Sequence, residues 1–262
     1  MSETGSRNLS EDLWLFGYGS LIWKPPPHFD RRVPGYIEGY VRRFWQASED
    51  HRGTPKSPGR VVTLIERSYW ETLGEEPSQS SETTSRVYGA AYHIPPSYVQ
   101  SVKAYLDIRE INGYSIQYTD CYPMPSAQST HPSSIPNCMV YIGLPSNPQF
   151  LGRESPEDVA NVIAASHGPS GANAEYLFML EESLASLGGE SGDCHIKDLA
   201  TRVRLLLAKN ANSTIGGNYR GAMEGEMRTS EAGFAYAAVE RELERVRSGE
   251  GGKPDEEAEK VF

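Results

Sequence analysis

Residues 14–24 read W-L-F-G-Y-G-S-L-I-W-K, and Pro25, Pro26 and Pro27 follow at once. No other stretch limits the fold as tightly. Trp14, Leu15 and Phe16 are bulky and β-prone, so they predict a short strand. Gly17 and Gly19 then remove two Cβ atoms within three residues. That lets backbone N–H groups converge and lets another molecule's oxygens come close. Leu21, Ile22 and Trp23 resume an apolar run, which the prolines end. A strand that empties into Gly-Tyr-Gly-Ser suits a carboxylate cradle, with the Ser20 hydroxyl at its exit. The other reading is a tight turn that binds nothing, the commoner fate of Gly-x-Gly after a strand. A dinucleotide fingerprint is disfavoured. Ile22 stands where its third glycine should be, and a Trp and the prolines stand where a helix should open.

Composition narrows the function classes. The chain has 262 residues, enough for one large domain or one domain with a tail. Its net charge of −10 argues against a grip on nucleic-acid backbone, which needs a basic face. Cys121, Cys138 and Cys194 are scattered, and no C-x-x-C occurs. Neither a zinc ribbon nor a redox motif is indicated, and a reduced compartment is the default. Residues 1–11 are polar and lack the apolar centre of a signal peptide. No apolar run approaches the ~20 residues of a membrane helix. The expectation is a soluble, cytoplasmic chain that binds neither nucleic acid nor membrane, with nuclear access and oligomeric state left open.

Residues 1–11 read as a disordered lead. Tyr36, Ile37, Tyr40, Val41, Phe44 and Trp45 mark a β-rich segment with imperfect alternation. A polar loop over 48–59 holds His51, Arg52 and two prolines. Residues 60–65 read as a strand, as do 87–92, where small residues alternate with aromatics and predict close packing on a neighbour. Between them, 71–85 is acidic and rich in Ser and Thr, a solvated insert. Residues 98–109 approximate helical spacing, with Ser97 as the expected cap and Asn112-Gly113 as the stop. Strands are expected over 114–122 and 139–143, separated by a Pro/Ser loop over 123–137. Ser155 and Pro156 open a helix that should run to Gly168-Pro169. Further helices are expected over 174–187 and 195–209. Residues 210–262 read as a flexible extension with a candidate helix at 230–248 and a charged end.

Glu110 is the carboxylate to single out. It stands where the predicted helix meets the Asn-Gly turn, beside Arg109 and near Asp107. Asp107 and burial would raise its pKa towards neutrality, and Arg109 would lower it. The alternative is a solvated helix-end residue paired with Arg109. The other chemistries have less behind them. No histidine pair has helical metal spacing, so no metal is expected. No G-x-S-x-G occurs, and nothing nearby in sequence supplies Ser20 with a base. Cys121 and Cys138 fall in predicted strands and read as inert buried thiols. His51-Arg52-Gly53 reads either as a site lining or as a polar loop. Tyr141 and Tyr176 read by themselves as core residues with satisfied hydroxyls.

Six blocks occur in order: F-G-Y-G-S-L-I-W, R-R-F-W-Q-A-S-E-D-H-R-G-T-P, G-R-V-V-T-L, Y-L-D-I-R-E-I-N-G-Y, Y-I-G and G-P-S-G-A-N-A-E-Y-L. Together they resemble the ChaC family of glutathione-specific γ-glutamylcyclotransferases, over about residues 14–187. The 71–85 insert, the 123–137 loop and everything after about 210 depart from the compact family pattern, and none overlaps a block.

The resemblance implies an α/β (α+β) fold of the γ-glutamylcyclotransferase type, a small, mostly antiparallel β-barrel with helices packed outside, over residues 12–209. It implies that glutathione is cleaved to 5-oxoproline and cysteinylglycine by attack of the γ-glutamyl α-amine on its own side-chain carbonyl, without a cofactor. In the family pattern Glu110 matches the general base and acid. Gly17, Tyr18, Gly19, Ser20, Leu21 and Ile22 match the loop that receives the γ-glutamyl end. Arg60 and Tyr141 lie in family blocks as further substrate contacts, and Tyr176 as a contact for the glycyl end. Two other readings stay open: a cyclotransferase for other γ-glutamyl amino acids or amines, and a non-catalytic γ-glutamyl-peptide binder.

Overall fold

The computed structural model describes residues 12–74, 86–109, 114–125, 133–188 and 191–215. All of them fall in the first of two compact units, 1–222. In chain order the elements are β1 (Leu13–Gly17), β2 (Arg31–Glu38), β3 (Tyr40–Ser48), β4 (Gly59–Glu66), α1 (Arg67–Thr72), β5 (Arg86–Ile94), α2 (Val99–Arg109), β6 (Tyr114–Pro123), β7 (Ile135–Gly143), α3 (Pro156–Ala165), β8 (His167–Gly168), β9 (Gly171–Ala172), α4 (Asn173–Ser186) and α5 (Cys194–Ile215). Short 3-10 turns cover Ser20–Ile22 and Pro96–Tyr98.

Five strands close a barrel in the order β1-β5-β2-β6-β7. Every pairing is antiparallel except β1 with β7, which run parallel through Leu15 and Met139. The small, mostly antiparallel barrel with outer helices is therefore the architecture found. Residues of opposite parity on β1 and β7 enter different apolar clusters, as strand geometry requires. Phe16, Cys138, Val140 and Ile142 join Ile37, Val87, Ala91 and Cys121 in a cluster that extends into β3, β4 and α3–α5. Leu13, Leu15, Met139 and Tyr141 turn the other way. They pack with Leu21 and Ile94 against Val99, Val102 and Leu106 of α2. The close packing expected along 87–92 is present: a Cβ on Gly89 would lie 2.3 Å from the Gly17 carbonyl oxygen.

The β-rich segment over 36–45 is found as expected, divided between two strands. Gly39, at φ +86°, breaks it into β2 of the barrel and β3 of a separate β3–β4 pair. A positive φ is open to glycine and strained for other residues, so the break is written at that position. Several sequence expectations need correction. Ser97 does not cap α2; it lies inside the 3-10 turn that leads into the helix, and Pro95 occupies the cap position of that turn. The Pro/Ser loop is shorter than 123–137, because β6 reaches Pro123 and β7 begins at Ile135. Glu71 and Thr72 belong to α1, which the sequence reading missed, while 75–85 fall outside the described residues. The helix expected at 195–209 spans Cys194–Ile215, so a boundary at 209 would fall inside it. α3 stops at Ala165, ahead of Gly168. Its N-terminus is as expected: Ser155 Oγ accepts from the Asp158 N–H at 3.1 Å, and Pro156 occupies the first turn. The 1–11 lead and the 230–248 helix lie outside the described residues.

β3 carries two charges into the core. Arg42 donates to Asp193 Oδ2 at 3.3 Å and to the Tyr88 carbonyl. Burial pulls its guanidinium below the ordinary arginine range, and Asp193 and the Tyr176 and Tyr18 hydroxyls oppose that. Arg43 lies over the rings of Trp70 and Trp45, 5.2 and 5.9 Å from their centroids. Next to Arg43 in the chain, the Phe44 N–H donates to His195 Nε2 at 3.2 Å. Burial, then Arg43 and Arg42, holds His195 well below its ordinary 6.5. The folded chain therefore keeps this ring neutral, while the unfolded chain protonates it below pH 6.5. Below that pH the unfolded state binds the extra proton, so stability should fall as pH drops, by up to ~1.4 kcal/mol per pH unit from this group. Above it this contribution is flat. Urea unfolding at pH 5.0 and 7.5 should show the loss, and His195→Gln should remove its one-proton share.

Candidate active site

β1 ends at Gly17, and the chain turns directly into the 3-10 turn Ser20–Ile22. The Ile22 N–H donates to the Gly19 carbonyl at 3.0 Å, and the Trp23 and Lys24 N–H groups donate to Ser20 at 3.2 and 2.8 Å. The turn's own bonds use the amides of Ile22, Trp23 and Lys24 and not those of Ser20 and Leu21. Gly19 is closely approached. A Cβ there would lie 3.0 Å from Val62 Cγ2 and 3.2 Å from the Tyr176 hydroxyl. A Cβ on Gly17 would lie 2.6 Å from Leu21 Cβ. Packing alone thus leaves no room for a side chain at Gly17 and crowds one at Gly19.

The loop is a meeting point of elements distant in sequence. Gly19 faces β4 through Val62 and α4 through Tyr176. Tyr176 is buried, edge-on to Trp23 at 5.5 Å and to Phe44 at 5.9 Å. Leu21 and Ile22 bury their side chains, Leu21 with Tyr141 and Leu106 and Ile22 in the larger cluster. They can serve a ligand only through their backbone. Tyr18 is buried as well, and Ser20 is the half-exposed member of the loop. Arg60 lies two residues before Val62 on β4, and its guanidinium forks onto Glu154 at 2.7 and 2.9 Å. Arg60 can act on a substrate only by sharing that ion pair.

Glu110 lies outside the described residues. Arg109, the residue before it, ends α2, where the sequence places the end of that helix. Leu106, in the last turn of α2, shares a cluster with Leu21 of the loop and Tyr141 of β7.

The sequence reading missed three residues around the loop. Tyr92 of β5 donates its hydroxyl to the Leu21 carbonyl at 2.7 Å. Asn173, fully buried, brackets the backbone of Arg60: its Oδ1 accepts from the Arg60 N–H at 2.6 Å and its Nδ2 donates to the Arg60 carbonyl at 2.7 Å. Arg42 puts its buried charge near Tyr18 and Tyr176. Only Arg42 had a signal, a charged pair inside an aromatic strand. In His51-Arg52-Gly53, Arg52 and Gly53 are buried and His51 is half-exposed. Arg52 donates to Glu175 at 2.7 Å and to the Ala172 carbonyl at 3.0 Å, and His51 Nδ1 lies 3.2 Å from Ser170 Oγ. Cys121 and Cys138 are buried free thiols; hydrogen bonding to Cys138, then burial, pushes the Cys121 thiol far above its ordinary value. That is an inert thiol.

A family profile described as "ChaC-like protein" matches residues 13–206, from the first residue of β1 into α5. The chain belongs to the ChaC-like family. Among ChaC-like relatives, the glutathione-specific γ-glutamylcyclotransferase of Schizosaccharomyces pombe is 42% identical over 197 residues, covering 75% of this chain and 95% of its own. The Saccharomyces cerevisiae protein of the same name is 38% identical over 208 residues, covering 69% and 88%. A human relative, glutathione-specific γ-glutamylcyclotransferase 1, is 35% identical over 198 residues, covering 74% and 80%. The crystal structure of a yeast γ-glutamyl cyclotransferase specific to glutathione superposes with a TM-score of 0.67 at 36% identity, covering 74% of this chain and 96% of its own. The ChaC-like match includes every strand of the barrel and the whole Gly17–Ile22 loop. No helix among the described residues is long and apolar enough to cross a membrane.

Proposed function

We propose that this chain cleaves glutathione into 5-oxoproline and cysteinylglycine. The observation that carries the reading is the 42% identity spanning 95% of the fission-yeast enzyme, which bears that specificity in its name. The loop geometry supports it. In the proposed reaction the amides of Ser20 and Leu21 receive the α-carboxylate of the γ-glutamyl unit. The α-amine then attacks its own γ-carbonyl, a five-membered lactam closes, and the cysteine nitrogen leaves. Glu110 takes a proton from the α-ammonium and returns one to the departing nitrogen, so no water is consumed. Holding amine and carbonyl together in one molecule is worth up to ~7–11 kcal/mol in ideal cases. A single carboxylate can make both proton transfers if its pKa lies near the working pH. Tyr176, against Gly19, is the proposed contact for the far end of the tripeptide, with Tyr141 and Arg60 as secondary contacts.

The catalytic unit is proposed to be the barrel with its helices, residues 12–209 in the sequence reading and extended here to the end of α5. A cytoplasmic setting is proposed as well, supported by the free thiols of Cys121 and Cys138. Turnover of glutathione and γ-glutamylalanine, measured side by side, tests the substrate. The proposal expects glutathione to be strongly preferred, and equal or better use of γ-glutamylalanine would overturn that specificity. Gly19→Ala tests the loop. Its new methyl meets Val62 and Tyr176, so kcat/KM should fall about tenfold or more, in line with overpacking costs of ~1–3 kcal/mol. An unchanged kcat/KM would detach the loop from binding.

A further inference from the structure

The 3-10 turn presents its amides correctly only if its other end is anchored, and the anchor comes from β5. Tyr92 is fully buried. It pairs across the sheet with Leu15 of β1 on one side and with Arg32 of β2 on the other. Its ring lies under the loop, 3.4 Å from where a Gly17 Cβ would stand, and Phe29 packs edge-on against it at 5.3 Å. Its hydroxyl donates to the Leu21 carbonyl at 2.7 Å and approaches the Ile22 carbonyl at 3.4 Å. The same hydroxyl oxygen accepts from Arg32 Nε at 3.3 Å. A donor cation behind a hydroxyl polarises it and strengthens the bond it donates. The Leu21 and Ile22 carbonyls are the last acceptors of the turn, which a short helical turn cannot satisfy by itself.

We infer that Tyr92 is a positioning residue for the reaction: with Arg32 behind it, it fixes the rotation of the Ser20–Ile22 turn so that the Ser20 and Leu21 amides face the substrate carboxylate. The inference rests on the functional reading above. Tyr92 touches no reacting atom. It acts on binding through the turn, and its effect should therefore appear in KM.

The test is Tyr92→Phe, which keeps the ring and deletes the hydroxyl. KM for glutathione should rise about three- to tenfold, the range expected for one lost hydrogen bond, with kcat within twofold and the pH profile of kcat unmoved. Arg32→Met should raise KM less, and the double variant should be no worse than Tyr92→Phe, because both act through one hydroxyl. A purely structural Tyr92 would instead lower the folded fraction, reducing apparent kcat at constant KM. That result, or an unchanged KM, overturns the inference. Amide hydrogen exchange over residues 17–23 gives a second readout that needs no turnover. Exchange there should quicken in Tyr92→Phe and not elsewhere in the barrel, and unchanged exchange also overturns the inference. If the native chain released no 5-oxoproline, the functional reading would fail while the exchange result still decided whether Tyr92 holds the turn. Should Tyr92→Phe not fold, Arg32→Met read by the same measurements carries the decision.

Discussion

Glu110→Gln is expected to lower kcat for 5-oxoproline release by roughly a hundred- to ten-thousandfold, the usual worth of a positioned general acid–base. KM and the thermal midpoint should stay near those of the native chain. The amide is nearly isosteric with the carboxyl but cannot accept a proton from the α-ammonium, and lactam closure needs a free amine. It also cannot deliver a proton to the leaving nitrogen. A fall in kcat without a rise in KM marks an interaction made only on the way to the transition state. If Glu110→Gln kept more than about a tenth of native kcat, Glu110 would have no place in the mechanism. Steady-state assays on glutathione, paired with melting curves, make the distinction.

Asn173→Leu should be the most damaging substitution for stability. The carboxamide meets the Arg60 N–H at 2.6 Å and the Arg60 carbonyl at 2.7 Å, in a position with no exposure. Its own N–H donates to the Ser166 carbonyl at 3.0 Å. Asn173 thus acts as a one-residue strand partner that docks the start of α4 onto the start of β4. Leucine would leave two buried backbone groups of Arg60 without that partner, at about 1–3 kcal/mol each. A loss of about 4 kcal/mol in urea unfolding follows, or roughly 8–16 °C in Tm for a domain of this size. By contrast Arg60→Ala, which removes the side-chain bonds to Glu154 and to the Pro58 and Gly59 carbonyls but keeps the Asn173 clamp, should cost about 2 kcal/mol. Equal losses in the two variants would contradict this division between the backbone and the side chain of Arg60.

Local chemistry explains what the sequence revealed and what it hid. The Gly17–Ile22 turn was legible because glycine, apolar run and proline each restrict the backbone at one position. The Ser155 cap and Pro156 start were legible for the same reason, as was the end of α2 before Asn112-Gly113. The division of the 36–45 segment between two sheets was not legible, because it depends on the positive φ of Gly39. Tyr92 carried no signal, and Asn173 none beyond its place in the G-P-S-G-A-N-A-E-Y-L block. Each is defined by a partner far along the chain, Arg60 for one and Leu21 for the other, and nothing in their neighbours marks the contact. The His51–Gly53 segment looked like a polar loop because its residue types are polar. Arg52 is buried there through its bonds to Glu175 and Ala172, more than a hundred residues later. Glu110 became a candidate through the block that surrounds it, since one acid among 35 carries little weight by itself.

The most direct measurement is chromatography of the products formed from glutathione by the native chain. Intramolecular lactam formation predicts 5-oxoproline and cysteinylglycine in equal amounts, with no free glutamate. Glutamate in place of 5-oxoproline would mean that water, not the substrate's own amine, attacks the γ-carbonyl. That product, or no product from a folded chain, would contradict the account.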